Sequence, residues 1–177
     1  MAAEGEYFDF RRLRDPPKTL SKRIIVAIEF FPCEIVFIHR DAETCDPAIR
    51  RREIETAVPV VVGVPHICIV PVRMTEAWLL FDERALRRAA GNPNGNIPLE
   101  LPRLGDIEAN RDPKGVLHDN LRQASGRSGR GLNKFSLNEA YYRLSEIISD
   151  YSLLRNLPAF TQLEQDVCSF LKTRKRT

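Results

Sequence analysis

The chain has 177 residues, 43% of them hydrophobic, with a formal net charge of +3 at pH 7; that is enough for one sizeable core and too little for two ordinary domains. We read residues 1–177 as a single α/β domain. So mild a positive balance suits attraction to phosphate but does not by itself establish nucleic-acid binding. No run of about twenty apolar residues occurs, and Met1-Ala2-Ala3-Glu4-Gly5-Glu6 holds no secretory apolar segment, so a cytoplasmic protein without a membrane span is expected. Cys33, Cys45, Cys68 and Cys168 have no Cys-x-x-Cys spacing, which argues against a zinc knuckle or redox dithiol and for reduced structural thiols.

Residues 1–19 read as an irregular leading segment, with Asp15-Pro16-Pro17-Lys18 breaking any period. Apolar positions then recur at helical spacing (Leu20, Ile24, Ala27, Ile28, Phe31), with Thr19 or Ser21 as cap and Pro32 as stop. Glu34 to His39 has the length and residue types of a buried parallel strand. Asp46-Pro47 opens a basic-faced helix to Ala57 as N-cap and first-turn proline. After the apolar stretch from Val58, a second strand is expected from Ile67 to Val72, and the alternation of helices and strands indicates a parallel sheet wrapped by crossovers. Thr75 is expected to cap a helix to about Ala90, ended by Gly91-Asn92-Pro93. Asp112-Pro113-Lys114 opens a helix to about Ala124, residues 125–131 read as a flexible basic loop, and a helical C-terminal part over 135–172 is expected as helices at about Leu137–Leu154 and Ala159–Lys172, before a frayed tail.

The chemistry-bearing residues lie where the strands end. Asp41 and Glu43 directly follow the first strand, and a turn starting at Asp41 can swing both carboxylates toward one divalent cation. Glu76 follows the second strand and falls in the first turn of the next helix, where the dipole favours a carboxylate and open α/β sheets hold ligands. The bland alternative is that Asp41 starts a turn and Glu43 is solvated. His39 could join a metal beside Asp41, although a histidine at a strand end is more often a hydrogen-bonded structural residue. Trp78 reads as core rather than a base-stacking platform. Arg50-Arg51-Arg52, Arg127 and Arg130 read as solvated charge more readily than as phosphate contacts. Residues 126–131 lack the Gly-Lys-Ser/Thr ending of a phosphate loop.

The segments His39-Arg40-Asp41-Ala42-Glu43, Arg73-Met74-Thr75-Glu76-Ala77-Trp78-Leu79-Leu80, Gly91-Asn92-Pro93 and Asp112-Pro113-Lys114 resemble an uncharacterised bacterial family related to Toprim, the topoisomerase-primase metal-binding domain. The resemblance implies a Rossmann-like parallel sheet flanked by helices. It also implies a magnesium site made of Asp41 as principal ligand, Glu43 as a second or water-mediated ligand and Glu76 as a third acidic group. Arg40 and Lys114 become weak candidates for phosphate contact. The implied activity is magnesium-dependent phosphodiester cleavage of DNA or RNA, as a nuclease component of a phage-defence or repair system beside an ATPase partner. One departure stands out: a Toprim domain begins with a strand ending in a catalytic Glu, usually followed by Gly, and this chain has Glu4-Gly5 with no apolar strand before it. Either a first strand is missing through a late start or the general base is lost, and the latter leads to the alternative of a non-catalytic module that binds a partner protein or nucleic acid. A small-molecule enzyme on the same scaffold is a third class, with no motif of its own.

Overall fold

A computed structural model describes Gly5, residues 9–58 and residues 63–174; Glu4, part of the apolar stretch after Val58 and the end of the basic tail lie outside the described residues. Following a single turn at Phe10–Arg12, helix α1 spans Leu20–Phe30 and is capped by Thr19, whose hydroxyl accepts from the Lys22 amide at 3.3 Å. Strand β1 is Val36–His39 and helix α2 is Pro47–Ala57, with the Asp46 carboxylate accepting from the Ala48 amide at 2.8 Å. Strand β2, His66–Ile69, runs parallel to β1 in the register Val36↔His66 to His39↔Ile69. The crossover through α2 is what the apolar runs on either side of a capped helix predict. Among the described residues the sheet has these two strands and the chain is mostly helical, so the parallel pairing is present on a smaller sheet than expected.

The backbones stay side by side past the strand ends: Arg40 N donates to Ile69 O at 3.0 Å, Ala42 N to Pro71 O at 3.0 Å and Glu43 N to Arg73 O at 3.1 Å. Pro71 has no amide to donate, which ends the regular ladder and shortens the strand expected to reach Val72. Glu43 (φ 54°) and Arg73 (φ 66°) both take the left-handed conformation, a cost of about 1–2 kcal/mol for each residue with a Cβ.

The single helix expected from Thr75 to Ala90 is two elements. Thr75–Leu79 is a tight 3-10 stretch, and the Asp82 carboxylate then accepts from the Ala85 amide at 2.9 Å to start helix α3, Glu83–Ala89. An internal Asp that can cap competes with helix continuation, and here the cap wins. Gly91 (φ 75°) closes α3: its amide reaches Arg88 O and the Asn92 amide reaches Arg87 O, both at 3.0 Å, the two bonds of a Schellman ending. Asp112 caps helix α4, Pro113–Ala124, through the Gly115 amide at 2.9 Å; a Cβ at position 115 would run into that same carboxylate. The loop expected over 125–131 contains the start of a short helix, α5, at Gly129–Asn133. Helix α6, Leu137–Ile147, is shorter than expected because Ile148 turns extended (ψ 111°) and a 3-10 turn at Ser152–Asn156 follows. Helix α7 is Pro158–Arg174.

Three apolar clusters fill the molecule. Ile24, Ile38, Ile54, Cys68 and Val70 lie beneath the sheet; Leu80, Leu86, Leu117, Leu121 and Leu144 join α3, α4 and α6; Ala77, Trp78, Ile107, Leu154 and Leu157 connect the two, with Ile69 and Phe160 packed against them. No helix of the described residues is long and apolar enough to cross a membrane. The four cysteines are free.

Candidate functional site

The carboxyl ends of β1 and β2 carry the residues singled out from the sequence. His39 is the last residue of β1, Asp41 stands in the loop beyond it, and Thr75 opens the 3-10 stretch that follows β2. Thr75 is not the cap expected of it, since position 74 takes the N-cap place. Its hydroxyl oxygen lies 2.7 Å from His39 Nε2 and 3.4 Å from Asp41 Oδ1, and His39 Nε2 lies 3.1 Å from the same carboxylate oxygen. The histidine is hydrogen-bonded to Thr75, as strand-end histidines commonly are, and lies beside the principal candidate ligand.

Glu76 follows Thr75 in the same 3-10 stretch. Burial pushes the Tyr141 phenol on α6 above its ordinary pKa of 10.0, and the charges of Glu76 and then Asp41 push it further. One hydroxyl therefore lies within Coulombic reach of both carboxylates. Glu43 takes another course: its left-handed backbone sends the side chain, 68% exposed, toward Arg50, whose Nη2 lies 3.8 Å from Oε2. Arg50 also donates to Glu53 at 2.9 Å, a bond that raises the arginine's pKa and lowers that of the glutamate. Arg40 turns to Glu53 as well, at 3.6 Å. The structure thus brings Asp41 together with His39 and Thr75 and aims Glu43 at the base of α2; Glu76 is tied to the group as the chain neighbour of Thr75 and by its charge acting, like that of Asp41, on Tyr141.

Lys114 is exposed in the first turn of α4. Arg51 pairs with Asp166 on α7, so part of the expected solvated arginine run ties helices together. Trp78 is 5% exposed, its indole N–H donates to Glu108 at 3.4 Å, and its ring meets Phe160 edge-on, which agrees with its reading as core. The carboxyl of Glu108 is pushed above its ordinary pKa by burial, opposed by that indole bond. Sequence reasoning missed Thr75 as a member of the site and Tyr141 as a group that feels its charges. A threonine before Glu76 reads as a helix cap, and a tyrosine more than sixty residues downstream carries no local signal.

Among the described residues no group of three or more His, Cys, Asp and Glu side chains is close enough to hold a metal ion. A donor set here therefore has to include Thr75, water or substrate oxygen. Two shallow hollows, of ≈ 390 Å³ against the start of α1 and ≈ 470 Å³ on α2, are lined by neither His39, Asp41 nor Thr75; the His39 and Asp41 side chains are partly open to solvent. The chain matches no family model, no curated protein and no solved structure.

Proposed function

We propose that the chain is a magnesium-dependent phosphodiesterase of DNA or RNA, a cytoplasmic nuclease component of a bacterial defence or repair system, on a Toprim-like, Rossmann-like scaffold that works beside an ATPase partner. The observation that carries this reading is the cluster of Asp41, His39 and Thr75, with Glu76 following Thr75 in the chain, at the carboxyl ends of two parallel strands, where α/β sheets hold ligands. The two left-handed residues at those ends, Glu43 and Arg73, add support, because such strain gathers where function requires it.

The residues fit a hard divalent ion as oxygen donors: Asp41 supplies the principal carboxylate, and Glu76 a second through water. Glu43 contributes when released from Arg50. When bound, the ion supplies charge stabilisation at the phosphate and a lowered pKa for the attacking water. Arg40, when released from Glu53, and Lys114 neutralise flanking phosphates, and Glu76 orients water.

The test is cleavage of labelled DNA and RNA by the full chain with and without Mg²⁺. Cleavage that needs the metal and falls at least about a hundredfold in Asp41→Ala supports the reading; cleavage that persists in chelator overturns it. A second reading, a non-catalytic module on the same scaffold, is favoured by the Glu43–Arg50 pair, which occupies one of the three acidic groups. Under that reading the chain binds a partner protein or nucleic acid, and Mg²⁺ produces no thermal stabilisation that is lost on neutralising Asp41 and Glu43.

A further inference from the structure

Three donor atoms at the ends of β1 and β2 are spaced as the ligands of one ion are. The triangle His39 Nε2, Asp41 Oδ1, Thr75 Oγ1 has edges of 2.7, 3.1 and 3.4 Å. Neighbouring ligands of an octahedral ion with bonds of about 2.1 Å are about 3.0 Å apart, so the triangle has the dimensions of one octahedral face. With Nε2 unprotonated, an imidazole lone pair, a carboxylate and a hydroxyl oxygen converge with a single hydroxyl proton among them, which leaves an electron-rich face. The neighbouring guanidinium groups do not fill that role: Arg40 is turned to Glu53 and Arg50 to Glu53 and Glu43. The His39 and Asp41 side chains are 47% and 26% exposed, so an ion has a way in. The backbone bonds of Arg40, Ala42 and Glu43 to Ile69, Pro71 and Arg73 hold the two sides of the triangle in register, the pre-organisation a metal site needs.

We infer that His39, Asp41 and Thr75 form a transition-ion site, with His39 as nitrogen ligand, and that this nitrogen makes the site prefer Mn²⁺ to Mg²⁺. The inference rests on the reading of Asp41 as a metal ligand and extends it to two residues outside the acidic set. Magnesium holds its waters and favours all-oxygen surroundings, whereas imidazole suits softer divalent ions. One nitrogen among oxygens is a donor set that manganese accepts readily. Thr75 adds a neutral oxygen, so the face carries a single negative charge from Asp41, and the opposite face is left for water and substrate oxygen.

The test titrates the full chain with MnCl₂ and, separately, MgCl₂ in a calorimeter, for the parent, His39→Gln and Glu29→Gln. The parent should bind Mn²⁺ at least about tenfold tighter than Mg²⁺, and His39→Gln should lose about tenfold in Mn²⁺ affinity with little change for Mg²⁺. Glu29→Gln, on the exposed face of α1, should leave the preference intact. Electron spin-echo modulation of bound Mn²⁺ in the parent should carry a nitrogen coupling that is absent in His39→Gln, a readout independent of any variant's activity. Absence of that coupling in the parent, or an unchanged ion preference in His39→Gln, overturns the inference. Manganese bound through His39 without nuclease activity supports the inference while removing the nuclease reading. Magnesium-dependent cleavage indifferent to His39 does the reverse.

Discussion

Tyr141 reports on the candidate site from outside it. Its phenol keeps its proton above the ordinary 10.0, chiefly because it is half-buried and then because Glu76 and Asp41 are negative. A phenol that holds its proton to higher pH in the fold than in the unfolded chain binds more protons in the folded state. The stability it contributes is therefore present below 10.0 and is lost as the pH climbs past it. At neutral pH the hydroxyl keeps its proton. Removing a neighbouring charge should relax the shift: in Glu76→Gln, and to a smaller extent in Asp41→Asn, the alkaline midpoint assigned to Tyr141 should fall toward 10.0. Ultraviolet titration checks this, with Tyr141→Phe identifying its share of the absorbance. Midpoints unchanged in both variants would mean that the two carboxylates do not share a location. This coupling to Tyr141 is what the sequence conceals. Asp41 and Glu76 are legible because each follows an apolar strand, whereas Tyr141 arrives through the packing of α6 on α3 and α4, a long-range event with no local pattern.

At the level of elements, caps decided what could be read. Asp46-Pro47 and Asp112-Pro113 carry both an N-cap carboxylate and a first-turn proline, and α2 and α4 start where those signals predict. Thr19 at α1 and Gly91 after α3 behave likewise. The expectations that failed involve a cap hidden inside an apolar run. Asp82 sits between Phe81 and Glu83 in what reads as one continuous helix from Thr75, yet its carboxylate takes the Ala85 amide and restarts the chain. Thr75 lies in the separate 3-10 stretch before that cap, where it faces His39 and Asp41. Asp82→Ala should cost about 1 kcal/mol in urea unfolding, the usual loss on removing a carboxylate cap. Asp82→Asn, which keeps an acceptor, should recover most of it. A similar competition explains α6: after Ile147 the Asp150 carboxylate accepts from the Ser152 amide at 2.8 Å, and this local turn replaces the helix expected to continue to Leu154.

Across the whole molecule, the candidate site lies where two cores meet. His39 and Asp41 belong to the sheet and its cluster of Ile38, Ile54 and Cys68, while Tyr141 belongs to the helical cluster around Leu86, Leu117 and Leu144. Thr75 and Glu76 stand at the joint, on the same 3-10 stretch as Ala77 and Trp78, which pack with Leu154 and Leu157 in the third cluster. Helix α7 braces the joint from outside, with Phe160 against Trp78 and Asp166 paired to Arg51 of α2. Close-packed interiors transmit a local loss of volume to their neighbours, so a cavity in the connecting cluster should shift Thr75 and Glu76 relative to Asp41, whereas one deep in the helical cluster should not. Leu154 and Leu121 are both fully buried, and truncating either to Ala should cost about 2–5 kcal/mol. At a temperature where both variants remain folded, Leu154→Ala should weaken Mn²⁺ binding several-fold and Leu121→Ala should leave it near the parent value. Chemical denaturation establishes that the two costs match, and calorimetric titration reads the difference in affinity. Equal losses of affinity would show that the metal ligands answer to global stability; a loss confined to Leu154→Ala would show that the joint itself sets their spacing.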